Sequence, residues 1–332
     1  MMQFTSTQNT LLSILGDGEC HSGSTLGQIL GITRSAIWKQ INQLIDFGIP
    51  IKSIPQQGYK LPHRLILLNE QRISEHLQAQ IASPFKMHLF TSVDSTNRFL
   101  KDLAPSNQLE LCCAEIQNQG RGRFGRQWHS PFGENIYCSS RWNLNYDLNK
   151  LSGLSLVTSL AILNTLHEFN LATDVKIKWP NDIYWTDKKL CGSLIEILAE
   201  SNGNAQVIIG IGLNVNTDTE KHPLPDKPWC SLYEMTDRYF DRNLLIARLI
   251  KNLEHYLNKF IQTDLNAFMD EWNQSDYLVG KYIHITQAQG VLSGIACGVN
   301  SMGQLILEDE CGVKHLLSSG DTTLQRKNER KS

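Results

Sequence analysis

The sequence predicts an α+β protein of three units, and three patterns carry this prediction. Apolar residues at helical spacing around a short glycine turn fill residues 1–64, and a strand-like pair closes that stretch. Residues 65–276 alternate strand-like and helix-like segments, which is typical of an α/β unit. Residues 277–326 hold short strand candidates separated by glycines, which indicates a small SH3-like β-barrel.

The first unit has the pattern of a winged helix-turn-helix. Leu30-Gly31-Ile32 reads as the turn between two helices, and Thr33 can cap the second one. That helix has a regular apolar face, and after it a pair of short strands turns at Gly58 as a wing. The polar face opposite carries the predicted DNA contacts, which are Thr33, Arg34, Ser35, Trp38 and Lys39. The alternative is a winged helix that contacts only other proteins.

The central unit is expected to contain several strands and two long helices. The helices are predicted over Gly153–Phe169 and Arg242–Trp272. The strand candidates are Lys86–Phe90, Val175–Lys178, Leu194–Leu198 and Val207–Leu213.

Composition excludes several classes of protein. The chain has 332 residues, of which 41% are hydrophobic and 19% charged, and its formal net charge is −2. No apolar run reaches the ~18 residues of a membrane span, and the amino terminus lacks the pattern of a secretory signal. The eight cysteines include no C-x-x-C pair and no zinc-like spacing. We therefore expect a reduced, cytoplasmic protein without a membrane segment or a metal site of its own.

The most informative segment is Gly120-Arg121-Gly122-Arg123-Phe124-Gly125-Arg126, followed by Gln127-Trp128. Glycines let the backbone approach a ligand, and arginine forks match phosphate and carboxylate oxygens. The segment therefore indicates an anion clamp at the end of a strand. It also spells G-x-G-x-x-G, but the turn residues Ser130–Gly133 stand where a dinucleotide fingerprint requires a helix. The remaining alternative is a solvated basic loop.

Three further groups could carry chemistry. Ser95-Thr96-Asn97 offers donors and acceptors for an amide-like ligand, although taken alone it favours a helix-capping cluster. Lys178–Asp182 breaks a strand at a proline and brings a lysine, an amide and a carboxylate together. Lys189 leaves a tight turn and could neutralise a developing oxyanion, or simply be a hairpin lysine. Acidic residues are not clustered, so any metal is expected to be Mg²⁺ arriving with a nucleotide.

Together these motifs resemble those of biotin–protein ligases, and the winged helix resembles that of the bifunctional bacterial members that repress the biotin operon. The resemblance implies a ligase domain with a class II synthetase-like mixed sheet. It implies that biotin and ATP, with Mg²⁺, give biotinyl-5′-AMP. The biotinyl group then passes to a lysine of the biotin carboxyl carrier protein, a subunit of acetyl-CoA carboxylase. It also implies operator DNA as a partner and a homodimer when the adenylate is bound.

The resemblance assigns roles residue by residue. The residues expected to act in catalysis are Lys189, Arg123, Lys178 and Asp182. Those expected at biotin are Ser95, Thr96, Asn97, Gln117, Arg121, Gly122, Arg123 and Lys189. Those expected at the nucleotide are Arg121, Trp128, Asn181 and Asn214, and Trp229 is a second aromatic that could cover the adenine. Phe124 departs from the family pattern, because a polar or basic residue is usual at its position.

Three other functions stay open from the sequence. One is a lipoate–protein ligase, which shares the adenylation chemistry. Another is a biotin sensor that has lost catalysis, and a third is a ligase whose winged helix does not bind DNA.

Overall fold

The structure is a computed structural model, and it describes residues 2–78, 80–145, 148–201, 204–220, 228–287 and 290–324. None of the helices in these ranges is both long enough and apolar enough to cross a membrane.

The amino-terminal residues form the predicted helix-turn-helix. Its elements are α1 (Ser6–Leu15), α2 (Gly23–Leu30), α3 (Arg34–Asp46), β1 (Lys52–Ile54) and β2 (Gly58–Lys60). Gly31 ends α2 in the left-handed conformation with φ of 66°, and the Thr33 hydroxyl then accepts the Ala36 N–H at 3.2 Å to cap α3. Both features agree with the prediction, because a glycine turn and a hydroxyl cap set the angle between the two helices.

The wing is fixed to the start of α2. The backbones of His21 and Tyr59 exchange two hydrogen bonds of 2.9 Å. Gly58 has φ of 141°, and a Cβ there would lie 2.0 Å from the His21 carbonyl oxygen. Only glycine fits this approach, so the wing packs directly against the segment that begins α2.

A seven-stranded mixed sheet forms the centre of the molecule. Its elements are α4 (Glu70–Gln78), β3 (Phe85–Val93), α5 (Thr96–Asp102), β4 (Leu109–Gln117), β5 (Ile136–Asn145), α6 (Leu154–Glu168), β6 (Val175–Lys178), β7 (Asp182–Trp185), β8 (Lys188–Ser201), β9 (Asn204–Leu213), α7 (Leu232–Thr236), α8 (Arg242–Thr263) and α9 (Met269–Ser275). The strand order is β3-β4-β5-β9-β8-β7-β6. Only β3 and β4 run parallel, which confirms the predicted mixed sheet.

The main apolar core lies between one face of this sheet and helices α6 and α8. The opposite face carries α5 over a small cluster of Leu100, Cys112 and Ile208. The prediction of one helix over Arg242–Trp272 was wrong. Helix α8 ends at Thr263, because Asp264 takes a φ of 56° that a right-handed helix cannot continue, and α9 begins afresh at Met269.

The carboxy-terminal strands form a second, five-stranded antiparallel sheet. They are β10 (Tyr282–Gln287), β11 (Gly290–Val299), β12 (Leu305–Glu308), β13 (Lys314–Leu317) and β14 (Asp321–Leu324), in the order β13-β12-β11-β10-β14. Strands β13 and β14 lie at opposite edges and do not pair within the described residues. The sheet is therefore present, while its closure into an SH3-like barrel stays a prediction.

Candidate functional site

One cavity of about 540 Å³ contains every residue predicted for biotin, nucleotide and catalysis. It opens where β4, β8 and β9 and the amino terminus of α5 meet, and β14 forms part of its wall. The lining includes Ser95, Thr96, Asn97, Gln117, Arg121, Gly122, Arg123, Trp128, Lys178, Asn181, Asp182, Lys189, Asn214 and Trp229. Residues far apart in the chain thus line a single cavity.

The end of β4 and the start of α5 share one hydrogen-bond network. The Gln117 side-chain oxygen accepts from the Thr96 backbone N–H at 2.9 Å and from its hydroxyl at 3.1 Å. The Ser139 hydroxyl lies 2.6 Å from both the Thr96 hydroxyl and the Asn97 side-chain oxygen. Ser95 caps α5, so the capping interpretation also holds for this cluster. A capped helix end held by buried hydroxyls provides a fixed set of donors and acceptors.

Asn97 acts within this network as a structural support for the cavity wall. It is buried, and its amide group donates to Glu196 at 2.8 Å and to the Leu194 carbonyl at 3.3 Å. A Cβ on Gly210 would lie 2.0 Å from the Asn97 side-chain oxygen, so the sheet approaches α5 closely at this point. Ser139, Glu196 and Gly210 were not predicted, because their roles depend on contacts across the sheet.

The glycine–arginine loop folds over the cavity mouth. The backbones of Arg121 and Gln127 pair as a single antiparallel β-bridge across the loop. Arg123 begins a short turn in which Phe124 has φ of 56°. Arg123 donates to the Asn181 side-chain oxygen at 3.1 Å. Burial lowers the pKa of the Arg123 guanidinium, against the opposing effect of the nearby Asp182 and Asp321 carboxylates. A partly desolvated guanidinium at the mouth favours an anionic ligand.

Arg126 fastens the same loop to the carboxy-terminal sheet. Its guanidinium forms a two-pronged ion pair with Asp321, and one of the two contacts measures 3.0 Å. The hydrogen bond with Asp321 raises the pKa of Arg126. No local sequence pattern indicates this pair, because 195 positions separate its members. Bidentate pairing fixes orientation as well as charge, so β14 helps to position the loop.

Lys189 lines the cavity between a carboxylate and an aromatic ring. Its Nζ lies 2.7 Å from Asp182 and 5.4 Å from the Trp128 ring centroid. Trp128 in turn packs against β9, since a Cβ on Gly212 would lie 2.4 Å from its indole ring. Lys178 is buried in the cavity floor and donates to the Thr322 carbonyl at 2.7 Å.

The side chains of the two asparagines predicted at the nucleotide form hydrogen bonds within the protein. Asn181 donates to the Ser193 carbonyl and accepts from Arg123. Asn214 donates to the Cys230 carbonyl at 3.0 Å and to the Lys189 carbonyl at 3.4 Å. Both therefore hold neighbouring segments in place, and Asn214 ties the Lys189 turn to the segment beside Trp229.

The lining of the cavity is cationic. Five cationic side chains line the cavity, namely Arg121, Arg123, Arg126, Lys178 and Lys189, against the two carboxylates of Asp182 and Asp321. Across the described ranges, no three His, Cys, Asp or Glu residues cluster as metal ligands. An excess of positive charge in a concave site favours a polyphosphate.

The predicted DNA contacts lie together on one exposed face. Thr33, Arg34, Ser35 and Lys39 are exposed on or beside α3, and the Trp38 side chain is 60% exposed. The apolar face of the same helix is buried in the core of the winged unit. This surface is the one that a helix-turn-helix presents to the major groove.

Comparison with known proteins agrees with this arrangement. Residues 89–214 match the model of the biotin/lipoate A/B protein ligase family, and residues 7–60 match an HTH domain. The fold and the site therefore define a cofactor-attaching ligase that carries a helix-turn-helix. The chain belongs to the family of bifunctional ligase/repressors named BirA, as its relatives show.

The member from Salmonella typhimurium is 35% identical over 94% of this chain and 96% of its own length. The member from Bacillus subtilis is 30% identical over 90% of this chain and 92% of its own length. Among solved structures, the biotin protein ligase from Aquifex aeolicus in complex with biotin and ATP superposes with a TM-score of 0.62 at 29% identity. That match covers 72% of this chain and 98% of the Aquifex protein.

Proposed function

We propose that this chain activates biotin with ATP, transfers the biotinyl group to the biotin carboxyl carrier protein, and represses biotin synthesis genes as the adenylate complex. The observation that carries the proposal is the convergence of the residues predicted for biotin, nucleotide and catalysis on one cationic cavity, in a chain that also has a helix-turn-helix. Membership in the bifunctional ligase/repressor family supports both activities.

In the first step a biotin carboxylate oxygen bonds to the α-phosphorus of ATP, and the bond to pyrophosphate breaks. Negative charge accumulates on the phosphoryl oxygens, so fixed cations lower the barrier. Lys189 exchanges its contact with Asp182 for the carboxylate and the α-phosphate, while Arg121 and Arg123 approach from the loop. Lys178 adds positive charge from the cavity floor.

In the second step the ε-amine of the carrier lysine attacks the biotinyl carbonyl carbon, and the bond to AMP breaks. The incoming ammonium must lose a proton before it attacks. Asp182, 24% exposed in the cavity, is the carboxylate placed to accept that proton once Lys189 has turned to the ligand. Lys189 then stabilises the departing phosphate.

The loop protects the intermediate between the two steps. A mixed anhydride hydrolyses in water, so the site must close over it. The loop has glycines at both ends, contacts at Asn181 and Asp321, and Trp128 at its exit. The Thr96–Gln117–Ser139 network lies deeper and suits the polar head group of biotin.

Mg²⁺ would arrive with the nucleotide, and the carboxylates of Asp182 and Asp321 are the oxygen donors in the cavity lining that suit it. All eight cysteines are free thiols, which favours a reducing compartment such as the cytoplasm. The carboxy-terminal sheet would close as an SH3-like barrel and carry Asp321 to the loop. We further propose that the adenylate complex is a homodimer, and sedimentation with and without biotinyl-AMP tests this.

Biotin transfer is tested with purified protein, biotin, ATP and a biotin carboxyl carrier domain. Biotin should appear on the carrier domain, and a carrier whose target lysine is replaced by arginine should stay unlabelled. Labelling with lipoate in place of biotin would assign the chain to lipoate ligation. Tight biotin binding without labelling would identify a sensor without catalysis.

A further inference from the structure

We propose that Glu196 is a positioning residue for biotin, because it sets which end of the Asn97 side-chain amide faces the cavity. Asn97 lines the cavity, whereas Glu196 lies behind it on β8 and is not part of the lining. A side-chain amide has a donor end and an acceptor end of nearly equal size, so its neighbours decide which end points where. The inference deepens the proposed function and rests on it, since it requires biotin to bind against Asn97.

The partners of the Asn97 side-chain nitrogen are groups that only accept hydrogen bonds. This nitrogen lies 2.8 Å from a Glu196 carboxylate oxygen and 3.3 Å from the Leu194 carbonyl oxygen. An ionised carboxylate and a carbonyl have no hydrogen to donate, so the N–H bonds of Asn97 are directed to them. Rotation of the amide by half a turn would place its oxygen against the carboxylate, where two acceptors repel each other. Glu196 therefore holds the donor end of Asn97 toward β8.

The acceptor end of Asn97 is consequently turned toward the sheet and the cavity. The Ser139 hydroxyl donates to the Asn97 side-chain oxygen at 2.6 Å. The same oxygen faces Gly210, which also lines the cavity and where a Cβ would lie 2.0 Å from it. An amide oxygen accepts two hydrogen bonds, and among the described residues Ser139 supplies one. The second acceptor position suits an N–H group of the biotin head group.

Thr96 has the same polarity toward the ligand. Its hydroxyl has one hydrogen, which can go to the Gln117 side-chain oxygen at 3.1 Å or to the Ser139 oxygen at 2.6 Å. Either choice leaves the Thr96 oxygen as an acceptor on the cavity side. If Asn97 were reversed, its amide would donate to Ser139, and Ser139 would donate to Thr96. Acceptor positions would then be lost at both Asn97 and Thr96.

Glu196 is itself held by the helix that carries Asn97. The Lys101 Nζ lies 3.9 Å from the second Glu196 carboxylate oxygen. Lys101 follows Asn97 by four residues on α5, so both side chains extend from one face of the helix to β8. The Glu196 and Lys101 side chains are 30% and 57% exposed, so this ion pair adds little stability. It orients the carboxylate, with one oxygen toward Asn97 and the other toward Lys101.

The test exchanges donor and acceptor between the two residues at nearly constant size. Asn97→Asp places a second carboxylate against Glu196. In the double variant Asn97→Asp/Glu196→Gln, the new amide at position 196 donates to the new carboxylate at position 97, whose other oxygen again accepts from Ser139. The matched control combines Asn97→Asp with Glu110→Gln. Glu110 is a buried carboxylate on β4 that pairs with His88 at 2.7 Å rather than with Asn97.

The KM values for biotin and for ATP are measured by ATP–pyrophosphate exchange with the full-length proteins, in alkaline buffer that keeps the carboxylates ionised. We expect Asn97→Asp to raise the KM for biotin by about 10- to 100-fold, the effect of a charged group without its partner. Glu196→Gln alone should raise it by less than about 10-fold, because its amide oxygen still accepts from Asn97. The double variant should recover most of the loss and the control combination none. The KM for ATP should stay at the wild-type value in all variants.

A biotin KM in the double variant no better than in Asn97→Asp would overturn the inference. Recovery in the control combination would also overturn it, because net charge would then explain the effect, and so would an equal rise in the KM for ATP. For a variant too unstable to assay, the free energy of unfolding in urea gives the answer, since the double variant must be more stable than Asn97→Asp. Failure of the proposed function is distinguishable, because the wild-type protein would then show no biotin-dependent exchange.

Discussion

Replacement of Gly210 by alanine is expected to weaken biotin binding through a steric conflict with Asn97. Gly210 pairs with Ser139 on one side and Leu194 on the other in the middle of the sheet. A Cβ at this position would lie 2.0 Å from the Asn97 side-chain oxygen and 2.9 Å from its Cγ. Asn97 must move, and this would break its contact with Ser139 and disturb the Thr96–Gln117 network.

The magnitude follows from the packing. An extra methyl group in a filled site costs about 1–3 kcal/mol. If that energy is taken from biotin binding, affinity falls by about 5- to 150-fold, at ~1.4 kcal/mol for each factor of ten. Asn97 has little freedom to retreat, because its amide group is also held by Glu196 at 2.8 Å.

The assay is calorimetric titration with biotin, together with the KM for biotin and for ATP. The KM for biotin should rise much more than the KM for ATP. Gly23→Ala is the matched control, because its Cβ would make ordinary contacts with the side chains of Arg34 at 3.4 Å and Tyr59 at 3.5 Å in the winged unit. Wild-type biotin affinity in Gly210→Ala would refute the placement of the biotin head group against Asn97.

Three other perturbations test separate parts of the structure. Lys189→Ala should slow single-turnover formation of biotinyl-AMP by about 10²- to 10³-fold, the usual effect of losing one oxyanion donor. Lys188→Ala should leave this rate unchanged, because Lys188 pairs with Glu234 outside the cavity. If the Lys189→Ala and Lys188→Ala variants formed biotinyl-AMP at equal rates, the assignment of the charge-neutralising role to Lys189 would be wrong. Arg242→Met should lower the free energy of unfolding in urea by about 3–5 kcal/mol, because it leaves the Glu115 carboxylate buried without its cationic partner. Arg248→Met, which loses a partly exposed contact of 3.9 Å with Glu168 and a hydrogen bond of 2.8 Å to Gln80, should cost about 0–1 kcal/mol. Similar losses of stability in the two variants would contradict the burial argument. Burial raises the pKa of the Cys112 thiol, so little of its reactive thiolate forms at neutral pH. Iodoacetamide should therefore label the exposed thiols first, and peptide mass spectrometry would show the order of labelling. The thiols expected to be protected are Cys112, Cys113 and Cys138, and those expected to react are Cys297 and Cys311; rapid labelling of the first group would refute this.

The winged unit could be predicted in detail because its signals are local. Gly31 and Thr33 define the turn and the cap within three residues, and the structure shows both. The long helix was predicted to extend beyond its observed end. Asp264, whose positive φ ends α8, has no strong sequence signal. An aspartate is compatible with many conformations, so only the packing around it selects this one.

The residues proposed for the site could be named from the sequence because they stand in short motifs, whereas the residues that support them could not. Ser139 acts through Thr96 and Asn97, which lie 43 and 42 positions away in the chain. The Arg126–Asp321 pair joins the loop to the last strand across the whole ligase body. Such pairings depend on which strands become neighbours, and a single sequence does not specify this.

The measurement that tests the central claim most directly is ATP–pyrophosphate exchange by the purified full-length chain with biotin, with lipoate and without added acid. The cationic cavity and the Thr96–Gln117–Ser139 network predict exchange with biotin alone. Exchange with lipoate but not biotin would contradict the assigned substrate. Absence of exchange with either acid would contradict the assignment of Lys189 and the arginine loop to adenylation.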